Sequence, residues 1–345
     1  MNSSSFENMD LATILDRRFR DIRLLDSESA RADMMYLLRY QLPPSTSAAE
    51  VGYYTRGLDC LLILIRLLNS FLIPLSSDNH EDAEAANPML RLAWQNIART
   101  ESAVQDWIKV KALVLEMSKP QSVRDSKLTF EGLVFTQLVK DTFWSRKEFL
   151  LFRGFATKPE DGQYWFADKT ALANQMDINT IVVDANEYED LSFEKCVARK
   201  FDLHLIGGEW NIALCAKPYV LRVRYTRNKQ HPPSFKEIKN IWVPIGHFEG
   251  HELKATEKQA LYSLVAAVFL DTDQIHVYEP MGEQIVSDLR NPATRGKPWS
   301  VEDKEDGSFM LFYVPVSELE YGNLPLDTFP EVTEHRGMGF DINLE

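Results

Sequence analysis

The residue whose setting best suits chemistry is Cys60. It ends the run Gly52-Tyr-Tyr-Thr-Arg-Gly57-Leu-Asp-Cys60 and is followed at once by Leu-Leu-Ile-Leu-Ile65, so a glycine-bearing loop delivers a thiol to the first turn of a strongly apolar helix. The positive end of a helix dipole favours thiolate, the nucleophilic form. A small core residue fits the same pattern, because free cysteine is commonly buried. The chain has three cysteines, Cys60, Cys196 and Cys215, and no CxxC pair. That excludes a disulfide framework and a cysteine-rich zinc site, and fits a reducing compartment. His247 and His251 stand four apart, but Gly250 lies between them and no HExxH occurs, which speaks against zinc. Gly207-Gly208 reads as a turn, since neither GxxxxGK[ST] nor GxGxxG is present. Arg222, Arg224, Arg227 and Lys229 read as the alternating charges of an ordinary strand. No cofactor or metal is expected.

The elements that must hold Cys60 follow from hydrophobic periodicity. The 345 residues are 45% hydrophobic and 26% charged, ordinary globular values. A net charge of −13 argues against nucleic acid held through phosphates and favours a basic partner. Residues 1–48 read as a helical N-terminal extension, with Leu11, Ile14, Leu15, Phe19 and Ile22 at three- and four-residue spacings, then Met34, Met35, Leu37 and Leu38. This extension is a candidate site for a regulatory protein partner. Residues 49–145 read as a helical lobe: the run after Cys60, then Met89 to Ile97, Ser102 to Met117 and Phe130 to Asp141, with 77–87 an exposed loop. Residues 146–345 read as β-rich. Strand-like runs fall at 149–152, 164–166, 180–183, 219–225, 241–245, 262–270, 275–278 and 309–314, with Gly, Pro and Asp between them. Helices first and strands afterwards predict an α+β fold of two lobes. Residues 219–225, 262–270 and 309–314 are expected to share a sheet.

The most apolar run, Leu61 to Leu75, is interrupted by Arg66, Asn69, Ser70 and Pro74. A bilayer needs roughly twenty apolar residues, so the run reads as a core helix and no membrane partner is expected. Met1 to Asp10 is polar and acidic, unlike a signal peptide. The expected location is intracellular, cytoplasmic or nuclear.

Several stretches in order resemble the ubiquitin-specific proteases. Gly52, Gly57 and Cys60 fall on the two glycines and the nucleophile of that family's cysteine box. Ser192-Phe-Glu-Lys-Cys-Val-Ala-Arg-Lys-Phe201, Lys217-Pro-Tyr-Val-Leu-Arg-Val-Arg-Tyr-Thr-Arg227 and Trp242-Val-Pro-Ile are similar to its successive helix and strand motifs. Tyr262-Ser-Leu-Val-Ala-Ala-Val-Phe and Ser308-Phe-Met-Leu-Phe-Tyr313 resemble its closing strands. The resemblance spans about residues 50–316. It implies a papain-like cysteine protease architecture with a helical thumb and β-rich fingers and palm.

By that resemblance the catalytic residues would be Cys60 as nucleophile, His276 as general base and Asp303, four residues after Trp299, as the carboxylate that orients the imidazole. Gly246-His247-Phe248 is a rival to the histidine, set aside by chain order, and Glu302, Glu305 and Asp306 rival Asp303. Thr55 stands where the family has its oxyanion asparagine, and a hydroxyl can donate one hydrogen bond there. Leu58-Asp59 replaces Asn-Thr, Ile63 and Leu67 replace polar residues, and the zinc-binding CxxC pairs of the fingers are missing. The implied activity is a thiol-dependent deubiquitinase that cleaves after the terminal Gly-Gly of ubiquitin or a ubiquitin-like modifier, with its conjugates as partners. The alternative is a silent member of the same fold that binds ubiquitin or serves as a scaffold.

Overall fold

The computed structural model describes residues 20–25, 30–43, 55–72, 81–96, 101–118, 128–149, 151–157, 165–166, 180–187, 191–201, 203–206, 209–215, 217–227, 232–249, 252–280, 299–303 and 307–316. The fold is mixed α+β. In chain order, strand β1 (Arg20–Asp21) is followed by helix α1 (Ala30–Tyr40), α2 (Arg56–Leu72), α3 (Glu81–Ala86), α4 (Pro88–Ala93), β2 (Gln95–Asn96) and α5 (Glu101–Ser118). Next come α6 (Phe130–Val134), α7 (Gln137–Val139) and a π-helical turn (Lys140–Trp144). The second half holds β3 (Phe152–Thr157), β4 (Trp165–Phe166), β5 (Ile181–Asp184), α8 (Phe193–Ala198), β6 (Leu203–Ile206), β7 (Glu209–Cys215) and β8 (Leu221–Thr226). It ends with α9 (Phe235–Lys239), β9 (Asn240–Glu249), β10 (Glu252–Phe269), β11 (Gln274–Val277) and β12 (Ser308–Pro315).

A six-stranded sheet in the order β11-β10-β12-β8-β5, with β9 also on β10, organises the molecule. The runs 219–225, 262–270 and 309–314 share this sheet, as expected. Strand β12 carries the logic of a sheet buried on both faces. Phe309, Leu311 and Tyr313 enter one core with α8 and α9, whereas Met310, Phe312 and Val314 enter the other beneath α2, α4 and α5. Period-two alternation sends each set to its own face. Val265 is a bulge between Leu264 and Ala266, and its carbonyl accepts the Tyr278 amide at 2.8 Å. A separate four-stranded sheet runs in the order β4-β3-β7-β6, with β7 close to β9 of the first.

Several sequence expectations are corrected. Residues 81–86, expected within a loop, form α3. The run 149–152 begins with the 3₁₀ turn Lys147–Phe149 and its strand starts only at Phe152, while β6 and β7 go unforeseen. The helix expected over 130–141 breaks at Phe135 into α6, α7 and the π turn. The basic strand is not solvent-facing throughout. Arg222 and Arg227 are buried, with guanidinium groups 4.1 Å from the Trp144 ring and 4.6 Å from the Phe309 ring. Apolar β8 residues fill one face, so Arg222 and Arg224 between them face the helical layer, at Trp144 and Glu131, whereas Arg227, just past the strand, lies over Phe309 on the opposite face.

The described part of the N-terminal extension is part of the core. Strand β1 pairs β2, and Ile22, Leu37 and Leu38 are buried. The fully buried Arg66 guanidinium donates to the carbonyls of Leu37, Ala93 and Gln95 at 2.9, 2.7 and 2.9 Å, close to the carbonyl ends of α1 and α4. Burial lowers its pKa to about 9. Ile22, Leu37, Leu38 and Arg66 are thus packed within the chain's own fold. Residues 1–19, 26–29 and 44–48, also assigned to the extension, lie outside the described residues, as do Gly52, Gly207-Gly208, Lys229, His251, Glu305 and Asp306.

Candidate functional site

Helix α2 begins at Arg56, one turn earlier than the sequence suggests, and the Asp59 amide already donates to the Thr55 carbonyl at 2.9 Å. Cys60 is therefore past the first turn, where the dipole effect falls away. Gly57 explains the early start. A Cβ there would meet Leu128 O, Phe130 N and Thr129 C at 2.5 Å, so only glycine lets the helix lie against the segment before α6. Leu62, Leu64, Ile65 and Leu68 are fully buried, as the all-round apolar pattern predicts, and Phe71 is partly so.

The Cys60 side chain has no exposed surface. Its thiol donates to the main-chain carbonyl of Asp273 at 3.2 Å. Burial pushes the thiol pKa well above its ordinary value, the Asp273 and Asp59 carboxylates push it further, and Arg56 opposes them. Asp59 is itself paired with Lys111 in a salt bridge whose two side chains are wholly buried. Such a pair must be compensated, since either charge alone would be costly to bury.

Asp273 holds the turn between β10 and β11. Its φ of 51° is left-handed, a conformation that aspartate tolerates better than most residues. Its Oδ1 accepts the Phe130 amide at 2.9 Å while its carbonyl accepts the thiol. One residue thus joins the sheet to α2 and α6.

His276 sits in β11 opposite Ala267. Its strand neighbours Ile275 and Val277 enter the core that contains Cys60. Alternation turns His276 to the other face, where its ring lies on the Trp299 indole with centroids 3.9 Å apart and planes 13° from parallel. No hydrogen bond joins His276 and Cys60 among the described residues. Burial lowers the imidazole pKa to about 4, with Asp303 opposing.

Asp303 lies in the same neighbourhood as His276, but its carboxylate accepts the Ser300 amide at 2.7 Å. Arg227 fixes that turn by donating to the Ser300 carbonyl at 2.9 Å and to the Asp303 carbonyl. Glu302, a rival to Asp303, accepts the Phe235 amide at the start of α9. Thr55 is buried at the head of α2. The structure thus groups His276, Trp299 and Asp303 on one side of the sheet edge and leaves Cys60 on the other. The expectation that Cys60, His276 and Asp303 converge is corrected accordingly, because strand alternation opposes it.

Three residues that shape this site were missed: Asp273, Lys111 and Arg227. Lys111 had a signal, a lone charge on the stripe Trp107, Val110 and Val114 of α5. A cation there requires a buried anion, and Asp59 on an otherwise apolar helix supplies it.

No family model matches the chain, and neither does any curated protein. Among solved structures it is similar to the Saccharomyces cerevisiae apo Pan2 pseudoubiquitin hydrolase–RNA exonuclease module in complex with AACCAA RNA. The two share 11% identity and a TM-score of 0.27, over 88% of this chain and 54% of that one. The chain therefore spans about half the length of that module, and the superposition is too loose to carry residue equivalences.

Proposed function

We propose that this protein is a catalytically silent relative of the ubiquitin-specific proteases that binds ubiquitin or a ubiquitin-like protein, or serves as a scaffold. The family likeness rests on the ordered motifs between Gly52 and Tyr313. Silence rests on one observation: the Cys60 thiol is fully enclosed and spends its proton on a backbone carbonyl. A nucleophile must be thiolate, reachable and within hydrogen-bond reach of its base. Here burial favours the neutral thiol, and the imidazole that would serve as base is stacked on Trp299. On this reading the helical layer corresponds to a thumb, the six-stranded sheet to a palm and the four-stranded sheet to fingers.

The test is ubiquitin carrying a thiol-reactive group in place of its terminal carboxylate, followed by intact mass, alongside calorimetry with unmodified ubiquitin and ubiquitin-like proteins. Reversible binding without an adduct supports the proposal. An adduct at Cys60, lost in Cys60→Ala, would restore the deubiquitinase reading. Absence of both adduct and binding would remove the deubiquitinase and the ubiquitin-binding readings.

A further inference from the structure

Three side chains form an apolar row across three strands of the central sheet. Trp242 of β9 lies opposite Leu261 of β10, and the Val316 amide, one residue past β12, donates to the Leu261 carbonyl at 2.9 Å. Their strand neighbours Ile241, Val243, Ala260 and Tyr262 enter the core with α8 and α9, so alternation turns the row to the face that carries the helical layer. One step along that face, Ser263 and Val314 are still covered, at 0% and 5% exposure. The row lies beyond that cover. Trp242 is 45% exposed, Leu261 and Val316 are half-buried, and none of the three belongs to either core. The Trp242 amide points away from β10 to the Glu194 carboxylate at 2.9 Å, so the edge of β9 is closed there and the row is offered as a face.

The chain itself leaves the sheet at this row. Residues 317–345, outside the described residues, follow Val316 directly and open with Ser-Glu-Leu319-Glu-Tyr321-Gly-Asn-Leu324-Pro-Leu326. Leu319 and Tyr321 alternate with glutamates, the pattern of an extended segment with one apolar and one wet side. Crossing from β12 over β10 to β9 covers two strand spacings, about 10 Å, which roughly three extended residues span. Leu319 and Tyr321 are therefore within reach of Leu261 and Trp242. A tether this short gives an effective concentration on the order of millimolar, an advantage that no free partner has. We propose that the segment 317–326 folds back as an extended strap over the Trp242–Leu261–Val316 row and closes it to protein partners until displaced.

The test uses the full chain and no ubiquitin, so its outcome is separate from that of the proposed function. Hydroxyl-radical footprinting with peptide mass spectrometry reads the oxidation rate of Trp242, with Tyr36, 44% exposed on α1, as the internal standard. Leu319→Asp with Tyr321→Asp puts charge on the apolar side of the strap and leaves every residue of the sheet unchanged. The strap predicts that Trp242 is oxidised about fivefold faster in that variant than in wild type, at an unchanged Tyr36 rate. Leu319→Met with Tyr321→Phe keeps the apolar side and should stay at the wild-type rate. In a third variant, Tyr321→p-benzoylphenylalanine, irradiation should crosslink residue 321, within one chain, to the β9 and β10 peptides that hold Trp242 and Leu261. Equal Trp242 oxidation in wild type and the Asp variant would overturn the strap. Crosslinks between chains, with Trp242 protection that grows with protein concentration, would overturn it too and give the row to a second copy of this chain.

Discussion

His276 lies flat against Trp299, ring over ring at 3.9 Å, and that stack joins β11 to the turn that carries Asp303. The indole also meets Phe269 and Phe309 at 5.6 and 5.7 Å, so the imidazole caps an aromatic column rather than entering the core beside Cys60. Charge on that imidazole has consequences for stability.

Because the folded pKa of His276 is about 4 against an ordinary 6.5, the unfolded chain binds the extra proton between those values. Stability contributed by the neutral, stacked ring is therefore full above pH 6.5 and is lost as pH falls towards 4, amounting to on the order of 2–3 kcal/mol. His276→Phe keeps an aromatic ring on Trp299 and removes the titration. Urea melts of both proteins from pH 4 to 7.5 should show wild type losing more stability on acidification than the variant. Parallel pH profiles would refute this.

Gly57→Ala reverses a familiar rule. In an open helix the change stabilises by roughly 1 kcal/mol, but here the new methyl meets the backbone of residues 128–130 at 2.5 Å. Denaturation should give a loss of about 1–3 kcal/mol, the usual cost of overpacking. A gain would mean that α6 yields freely.

The Asp59–Lys111 pair sets up a double-mutant cycle. Lys111→Met removes the cation from beside a buried carboxylate and should cost about 3–5 kcal/mol. Asp59→Asn in the Lys111→Met background should recover much of that loss. Additive single-variant costs would show that the two charges act separately.

Tyr40 and Glu279 should report on the N-terminal helix. The Tyr40 hydroxyl donates to the Glu279 carboxylate, which also faces Arg39 at 3.5 Å. Tyr40→Phe removes the donor but keeps the ring against Tyr36, and should cost about 1.5–3 kcal/mol. Thermal melts that coincide with wild type would assign the helix's anchorage to Arg39 and Arg66 alone.

The central sheet was legible because its strands are short, bounded apolar runs, as in Ser308 to Pro315, and the core helix because α2 is apolar on nearly every side. The ends of elements were harder. Helix α2 starts early because a glycine allows close approach to a segment some 70 residues away, a relation that local pattern does not carry. The site divides in the same way. Residue types around Cys60 suggested nucleophilic chemistry, yet its reach depends on which face of β11 turns toward α2 and on the backbone carbonyl of Asp273, which any residue type would supply. Lys111 was readable as a charge out of place, whereas its partner's identity needed the packing of α5 on α2.

The bond between Tyr40 and Glu279 spans 239 positions in the chain. During synthesis, helix α1 leaves the ribosome long before the strand end that fastens it. It can settle early on Ser70 and Arg66, but its last anchor waits for most of the central sheet to emerge. Pairings of such long sequence separation slow folding, because chain closure must precede the contact that rewards it. Pulse-labelled nascent chains halted before residue 279 should hold α1 in an exchanging state, and its protection should arrive together with that of β11.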